Sequence, residues 1–243
     1  INTRDMEIAR ANIARYGWAR AFAEGAEAQV APYLSRFNPD FLEQMIPATS
    51  VQRCYQCPAC HDKGLPQHPG GDWSWSVDDP EVITCNVCGV VFPNDDYPET
   101  IVLECKSKWG QGQVFGYYGR ETFNQWGYAH YRPSFTGMVR WQKVNWSRGM
   151  VYKFGLAYAL TAKPEYAEVV RMSLLRFADV YPNWLLVSDY GEIADMDPHV
   201  AGLCLDDLPE DELVYAPNRP DRKLFRDYWQ SGRGGGGGQD GSG

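Results

Sequence analysis

The chain has 243 residues, 44% of them apolar and 22% charged, which is enough for one large domain or two small ones with a packed core. A net charge of −8 without any Lys/Arg block argues against nonspecific nucleic-acid binding, which needs basic surface to displace counterions; a local basic cleft for a polyanionic sugar stays compatible with it. No apolar run reaches the 18 or so residues of a transmembrane helix, no secretory signal is visible, and the opening at Ile1 rather than Met points to a trimmed or fragmentary start.

In chain order, residues 4–25 read as a helix with Ala9, Ile13, Tyr16 and Ala23 on one face. Residues 26–37 continue it to a kink or stop at Pro32, and residues 38–53 are mixed. Residues 54–98 are rich in Gly, Pro and Asp and hold too little apolar material for a core of their own; short β runs at Val82–Thr84 and Val90–Phe92 flank a cysteine pair. Thr100–Cys105 reads as a strand, and Gly110–Gly119 as loop or irregular strand. From about Val139 the pattern is helical, with Met150, Phe154, Ala157 and Tyr158 on one stripe. After a break at residues 161–163, Pro164 opens a second helix striped by Val170, Leu174, Phe177, Ala178 and Tyr181, and Pro182 ends it. Two such helices with a tight connection form a helical hairpin. Residues 183–222 are loop-rich and acidic, 223–231 suit a short helix, and 232–243 form a flexible Gly-rich end. That end lacks the Gly-Lys-Ser/Thr and the preceding strand of a phosphate loop.

Two Cys-x-x-Cys elements carry the strongest chemical signal: Cys57-Pro58-Ala59-Cys60 and Cys85-Asn86-Val87-Cys88, separated by 24 residues. Each sets two sulfurs on one tight turn, so together they can close a tetrahedral site around zinc. Gly89 after Cys88 suits positive φ. The alternatives are two disulfides or free thiols, a shifted pair Cys54–Cys57, or His61 or His68 in place of a thiolate. With four protein ligands the metal is structural, because no position stays open for water. The seven cysteines leave Cys54, Cys105 and Cys204 outside the set.

The run Cys57-Pro-Ala-Cys60-His61, followed by Ile83-Thr-Cys85-Asn-Val-Cys88-Gly89-Val-Val-Phe92-Pro93-Asn94-Asp95-Asp96-Tyr97-Pro98, resembles the zinc-ribbon insert of heparinase II/III-like polysaccharide lyases. The phrases Leu156–Thr161, Glu165–Ala167, Leu175–Ala178 and Tyr181-Pro182 are similar to a hairpin of that family's (α/α) toroid, and Ala9–Ile13 with Trp18-Ala19 to its first toroid helix. The resemblance covers most of residues 3–185. It implies an incomplete toroid: toroid helices over 1–53, the ribbon insert over 54–98, and toroid hairpins and loops over 99–231. It also implies cleavage of uronate-containing anionic polysaccharides by β-elimination, a periplasmic or extracellular location, and a β-sandwich downstream of this N-terminal part. Elimination needs Asn, His or Arg to neutralise the uronate carboxylate, and a Tyr or His to move the proton. The family's mid-toroid Asn-His pair has no clear counterpart here, so the catalytic residues are not assigned.

Within the chain, His130-Tyr131-Arg132 has side chains of the right type for elimination. Arg140, Trp141, Asn145, Trp146 and Arg148, with His130, form the candidate sugar-contacting set: Trp stacks on a ring and Arg meets a carboxylate. Core packing is the alternative for each Trp, and solvent for each Arg. Asp195, Asp197 and His199 are metal-ligating types in what reads as a turn, and Asp206, Asp207 and Glu210–Glu212 read as a solvated acidic face. Paired carboxylates leave an (α/α)-toroid glycoside hydrolase as one alternative function. A glycan- or protein-binding module without catalysis is the other.

Overall fold

A computed structural model describes residues 2–51, 54, 56–67, 71–106, 112–121, 123–125, 129–184, 186–187 and 193–194. His68, the Asp195–His199 cluster, Cys204, the acidic stretch at 206–212, the predicted helix at 223–231 and the Gly-rich end lie outside the described residues. The chain is mainly helical with small antiparallel sheets, and it divides into two compact units.

One unit comprises Ile1–Ile46 and Trp146–Asp179. Its first helix, α1 (Thr3–Arg15), opens on a capping box: Asn2 Oδ1 accepts from the Asp5 amide and Asp5 accepts from the Asn2 amide, both at 3.0 Å. The single helix expected over 4–25 is in fact two. Tyr16 adopts extended backbone with the Arg15 guanidinium 5.1 Å over its ring, and Gly17, a poor helix former, starts α2 (Gly17–Ala28). Helix α2 buries the small residues Ala19, Ala23 and Ala26, spaced i, i+4, i+7. Pro32 stops nothing; it lies in the first turn of a 3-10 helix, Ala31–Arg36. The mixed stretch contains α3 (Pro39–Met45), capped by Asn38 accepting from the Phe41 amide at 2.9 Å.

The expected hairpin is present as α5 (Phe135–Thr161) and α6 (Pro164–Val180), with the turn made at Ala162 in the left-handed region, φ 58°. Residues of α5 up to Asn145 belong to the other unit. Arg10 Nε donates to the Ala159 carbonyl at 3.0 Å, satisfying an acceptor in the last turn of α5. Glu27 accepts from the Tyr166 hydroxyl at 2.6 Å and from Lys163. These two donors hold the Glu27 carboxyl below its ordinary value.

The second unit comprises Pro47–Asn145 and the chain from Val180. Strands β1 (Trp73–Ser76), β2 (Asp79–Cys85) and β3 (Val91–Phe92) form an antiparallel sheet in the order β1-β2-β3. A short helix, α4 (Pro58–Asp62), precedes it. The hairpin β4 (Ile101–Lys106) and β5 (Gly112–Tyr117) pairs without a slip from Ile101 opposite Tyr117 to Lys106 opposite Gly112. Residues 112–117 are thus a regular strand, with Gln113, Phe115 and Tyr117 buried and Val114 outward. Two small ladders complete the unit: β6 (Phe123–Gln125) with β7 (Ala129–Tyr131), and β8 (Leu186–Val187) with β9 (Ile193–Ala194).

The three-stranded sheet has no core of its own, as its composition requires, and it shares one with the first turns of α5. Ile83 and Phe92 from the sheet, Tyr118 from the segment after β5, Phe123 from β6, and Phe135, Met138 and Val139 from α5 form a single buried cluster that includes Cys54, Cys57, Cys60 and Cys85. Phe92 stacks on Phe135 with centroids 4.3 Å apart, and Trp73 meets Phe92 edge-on at 5.7 Å. Helix α5 starts at Phe135, ahead of the expected Val139, because two caps hold its first turn. Ser134 Oγ accepts from the Gly137 amide at 3.2 Å. Glu99 accepts from the Phe135 and Thr136 amides at 2.5 and 3.0 Å and from the Thr136 hydroxyl at 2.7 Å.

Two outcomes follow from this packing. Phe135→Ala removes a fully buried ring and is expected to cost about 3–5 kcal/mol in denaturant unfolding. Burial raises the Glu99 carboxyl above its ordinary 4.5, against the lowering effect of its donors. Its contribution to stability is therefore complete below the unfolded value and declines as pH rises through the folded value. Glu99→Gln keeps an acceptor for the two amides and should flatten that decline in a pH series of unfolding midpoints.

Candidate metal centre

Pro58 occupies the first turn of α4, where its missing N–H costs nothing, and Cys57 stands just before it. One turn later Cys60 returns to the same side, with the Cys60 and His61 amides both donating to the Cys57 carbonyl at 3.2 Å. The second knuckle is a turn between β2 and β3. The Cys85 amide donates to the Val90 carbonyl at 2.9 Å, and the Gly89 amide to the Cys85 carbonyl at 2.8 Å. Gly89 has φ 73°, the left-handed backbone that only glycine adopts without strain. Asn86 fixes this turn from outside by donating to Asp72 Oδ1 at 2.7 Å, and the Cys57 amide donates to Gln67 Oε1 at 2.6 Å.

The two knuckles bring four sulfurs together. Cys57 Sγ and Cys88 Sγ are 3.6 Å apart, Cys60 Sγ and Cys85 Sγ are 3.5 Å apart, and all four lie within 4.8 Å of one another. A disulfide needs about 2.05 Å, so these are free thiols. Four sulfurs about 2.3 Å from a central tetrahedral ion would be about 3.8 Å apart, so the observed separations fit a four-thiolate metal site with little adjustment. The arrangement is a buried four-cysteine cluster consistent with a zinc ribbon.

Electrostatics favour an ion there. Burial pushes the Cys57 thiol up, and it pushes Cys60 to about 12. Burial acts on Cys88 in the same direction, but the Val90 amide and the neighbouring thiols outweigh it and hold Cys88 below its ordinary value. The Cys60 amide acts on the Cys57 thiol in the same lowering direction but does not outweigh burial there. Buried thiolates without a cation are costly, whereas a divalent ion neutralises half of the charge of four of them.

Cys54 is not a member of the cluster. It is 1% exposed, its thiol donates to the Gln56 carbonyl at 3.6 Å, and burial raises it well above the ordinary thiol value. The shifted pair Cys54–Cys57 is therefore not the one the fold assembles. Cys105 lies in β4, and nothing is described of its side chain. His61 is not part of the four-cysteine group. Its Nδ1 is 3.4 Å from Glu121 Oε2, and its ring meets Phe123 edge-on. Asp62 accepts from Arg120 Nη2 at 2.6 and 2.7 Å and from the Tyr97 hydroxyl at 3.1 Å. Arg120 also lies 3.6 Å from Glu121, so this neighbouring group is a polar clamp tying α4 to the segment after β5. Sequence reading did not single out Asp62, Arg120 or Tyr97, because nothing local links positions so far apart.

Five of the candidate sugar-contacting residues, Arg140, Trp141, Asn145, Trp146 and Arg148, lie along α5. Arg140 Nε donates to the Ser50 carbonyl at 2.9 Å, and its guanidinium lies 5.6 Å from the Phe115 ring centroid. Burial lowers the Arg140 guanidinium to about 10, partly offset by Glu99 and Tyr117. Trp141 packs against the cysteine-containing core, and Asn145 is half-buried. Trp146 belongs to the helical unit, where it stacks on Phe37 at 6.0 Å and meets Tyr33 edge-on at 5.5 Å. Arg148, in the same unit, is exposed. His130 lies in β7 opposite Asn124, and nothing is described of its side chain. No protein-family model, curated protein or solved structure matches the chain.

Single substitution of Cys57, Cys60, Cys85 or Cys88 by Ala should abolish stoichiometric metal uptake measured by elemental analysis, while Cys54→Ser should leave it intact. Because a metal takes its cysteines as thiolates and burial favours the protonated Cys57 and Cys60, uptake should release protons and affinity should fall as pH falls, which a competition titration between pH 5 and about 8 measures.

Proposed function

We propose that Cys57, Cys60, Cys85 and Cys88 bind one structural zinc ion, and that the chain is the N-terminal part of a polysaccharide lyase acting on uronate-containing glycans. The convergence of the four sulfurs at 3.5 and 3.6 Å across the two knuckles carries the zinc reading. Thiolates select a soft or borderline ion, four of them in a tetrahedron favour zinc, and a closed set leaves zinc no catalytic position. Its contribution is a cross-link between two turns that cannot otherwise close a core.

The lyase reading has a different support, the resemblance of residues 57–98 and of the α5–α6 phrases to the heparinase II/III-like family. The helical hairpin formed by α5 and α6 is the kind of unit from which an (α/α) toroid is built. In this reading the sandwich that completes the enzyme lies downstream, and export to the periplasm or cell exterior belongs to the same proposal. β-Elimination would then use side chains that neutralise the uronate carboxylate and shuttle one proton.

A second reading, a binding module without catalysis, draws on the packing. Arg140, Trp141 and Trp146 are engaged in the cores of their own units, which suits a scaffold. The full-length gene product incubated with uronate polymers separates the two. The lyase reading predicts growing ultraviolet absorbance from unsaturated chain ends. Uronate polymers left intact, with no unsaturated ends formed, would contradict it and fit the binding module. Elemental analysis of the purified chain should give one zinc per molecule, and no stoichiometric metal would contradict the zinc reading.

A further inference from the structure

Two sulfur contacts run between the knuckles. Cys57 meets Cys88 at 3.6 Å and Cys60 meets Cys85 at 3.5 Å. Each pair joins α4 to the β2–β3 turn, so a covalent bond at either contact would span the same two points as a metal. Access is uneven. Cys57, Cys60 and Cys85 are at most 2% exposed, whereas Cys88 is only half-buried. A small oxidant therefore reaches Cys88 first, with Cys57 already in contact behind it.

We propose that this centre is also an oxidation site for peroxides, which convert it to two disulfides of fixed connectivity, Cys57–Cys88 and Cys60–Cys85. Cys88 sulfur takes one oxygen from hydrogen peroxide, giving a sulfenic acid and one water. Cys57 sulfur then attacks Cys88 sulfur: the S–S bond forms, the S–O bond breaks, and the oxygen leaves as a second water with the proton from Cys57. A second peroxide oxidises Cys60 and Cys85 in the same way. Four thiols are oxidised to two disulfides, and two peroxides are reduced to four waters. Each sulfur has to move by less than about 1 Å to bring its pair to the 2.05 Å of a disulfide, a motion that side-chain rotation supplies. The backbone hydrogen bonds of both knuckles remain. Cys54, buried and bonded to the Gln56 carbonyl, stays a thiol. The zinc reading enters only through the ion that oxidation expels.

The test is to treat the intact chain with hydrogen peroxide, both metal-free and zinc-loaded, to block the remaining thiols by alkylation, and to map disulfides by mass spectrometry without reduction. The expected map shows Cys57–Cys88 and Cys60–Cys85 links with Cys54 alkylated, and a thiol reductant restores all four thiols. Links within a knuckle, Cys57–Cys60 and Cys85–Cys88, or cysteines carried to sulfinic or sulfonic acid without cross-links, would overturn the proposal. The folded chain as purified decides the connectivity whatever it holds, with the metal-free sample as the comparison, while loss of one zinc per chain in the loaded sample bears on the zinc reading alone.

Discussion

The convergence of four cysteine sulfurs between α4 and the β2–β3 turn is the constraint on which the second unit depends. Residues 54–98 supply Ile83, Phe92 and a few tryptophans, too little to repay the conformational entropy of ordering such a Gly-, Pro- and Asp-rich stretch. Two further contributions compensate. The first turns of α5 lend Phe135, Met138 and Val139 to the same core. The metal proposed at the sulfurs would add a folding free energy, which reaches about 10–16 kcal/mol in isolated zinc-finger peptides. Sheet, helix and cysteines thus form one cooperative body.

Charge is handled separately from that core. The sulfur site is screened by backbone amides directed at Cys57 and Cys88. Lys143, buried on α5, is neutralised by Glu81 of β2 at 2.6 Å. Asp62 and Arg120 form a further bridge at the surface, and Arg120 keeps the Asp62 carboxyl below its ordinary value. These contacts fix the orientation of α4 and β2 more than they add stability, since exposed ion pairs contribute little.

What was legible in the sequence depended on how local its cause was. Cys-x-x-Cys spacing is a local geometric rule, and it identified the four clustered cysteines over the rival Cys54. The α5–α6 hairpin and Pro164 were readable for the same reason, but the α6 stripe was set on the wrong face: Tyr166, Val169, Ser173 and Val180 are buried, whereas Leu174, Ala178 and Tyr181 are exposed. The break at Tyr16 was not, because Arg15, Tyr16 and Trp18 are all acceptable in a helix and only Gly17 hinted otherwise. Helix α4 was too short for any periodicity. The start of α5 depends on Glu99, 36 residues upstream, which no window of sequence connects to Phe135. Arg140 and Trp141 looked like sugar-contacting residues because an Arg beside a Trp has that chemistry. Their packing is decided by Ser50 and by the cysteine-containing core, which are tertiary facts.

The central claim is that one ion is held by these four sulfurs and by nothing else. X-ray absorption at the zinc edge on the purified, reduced chain tests it most directly. The expected spectrum has a single shell of four sulfur neighbours at about 2.3 Å. A shell containing nitrogen or oxygen, or fewer than four sulfurs, would contradict it.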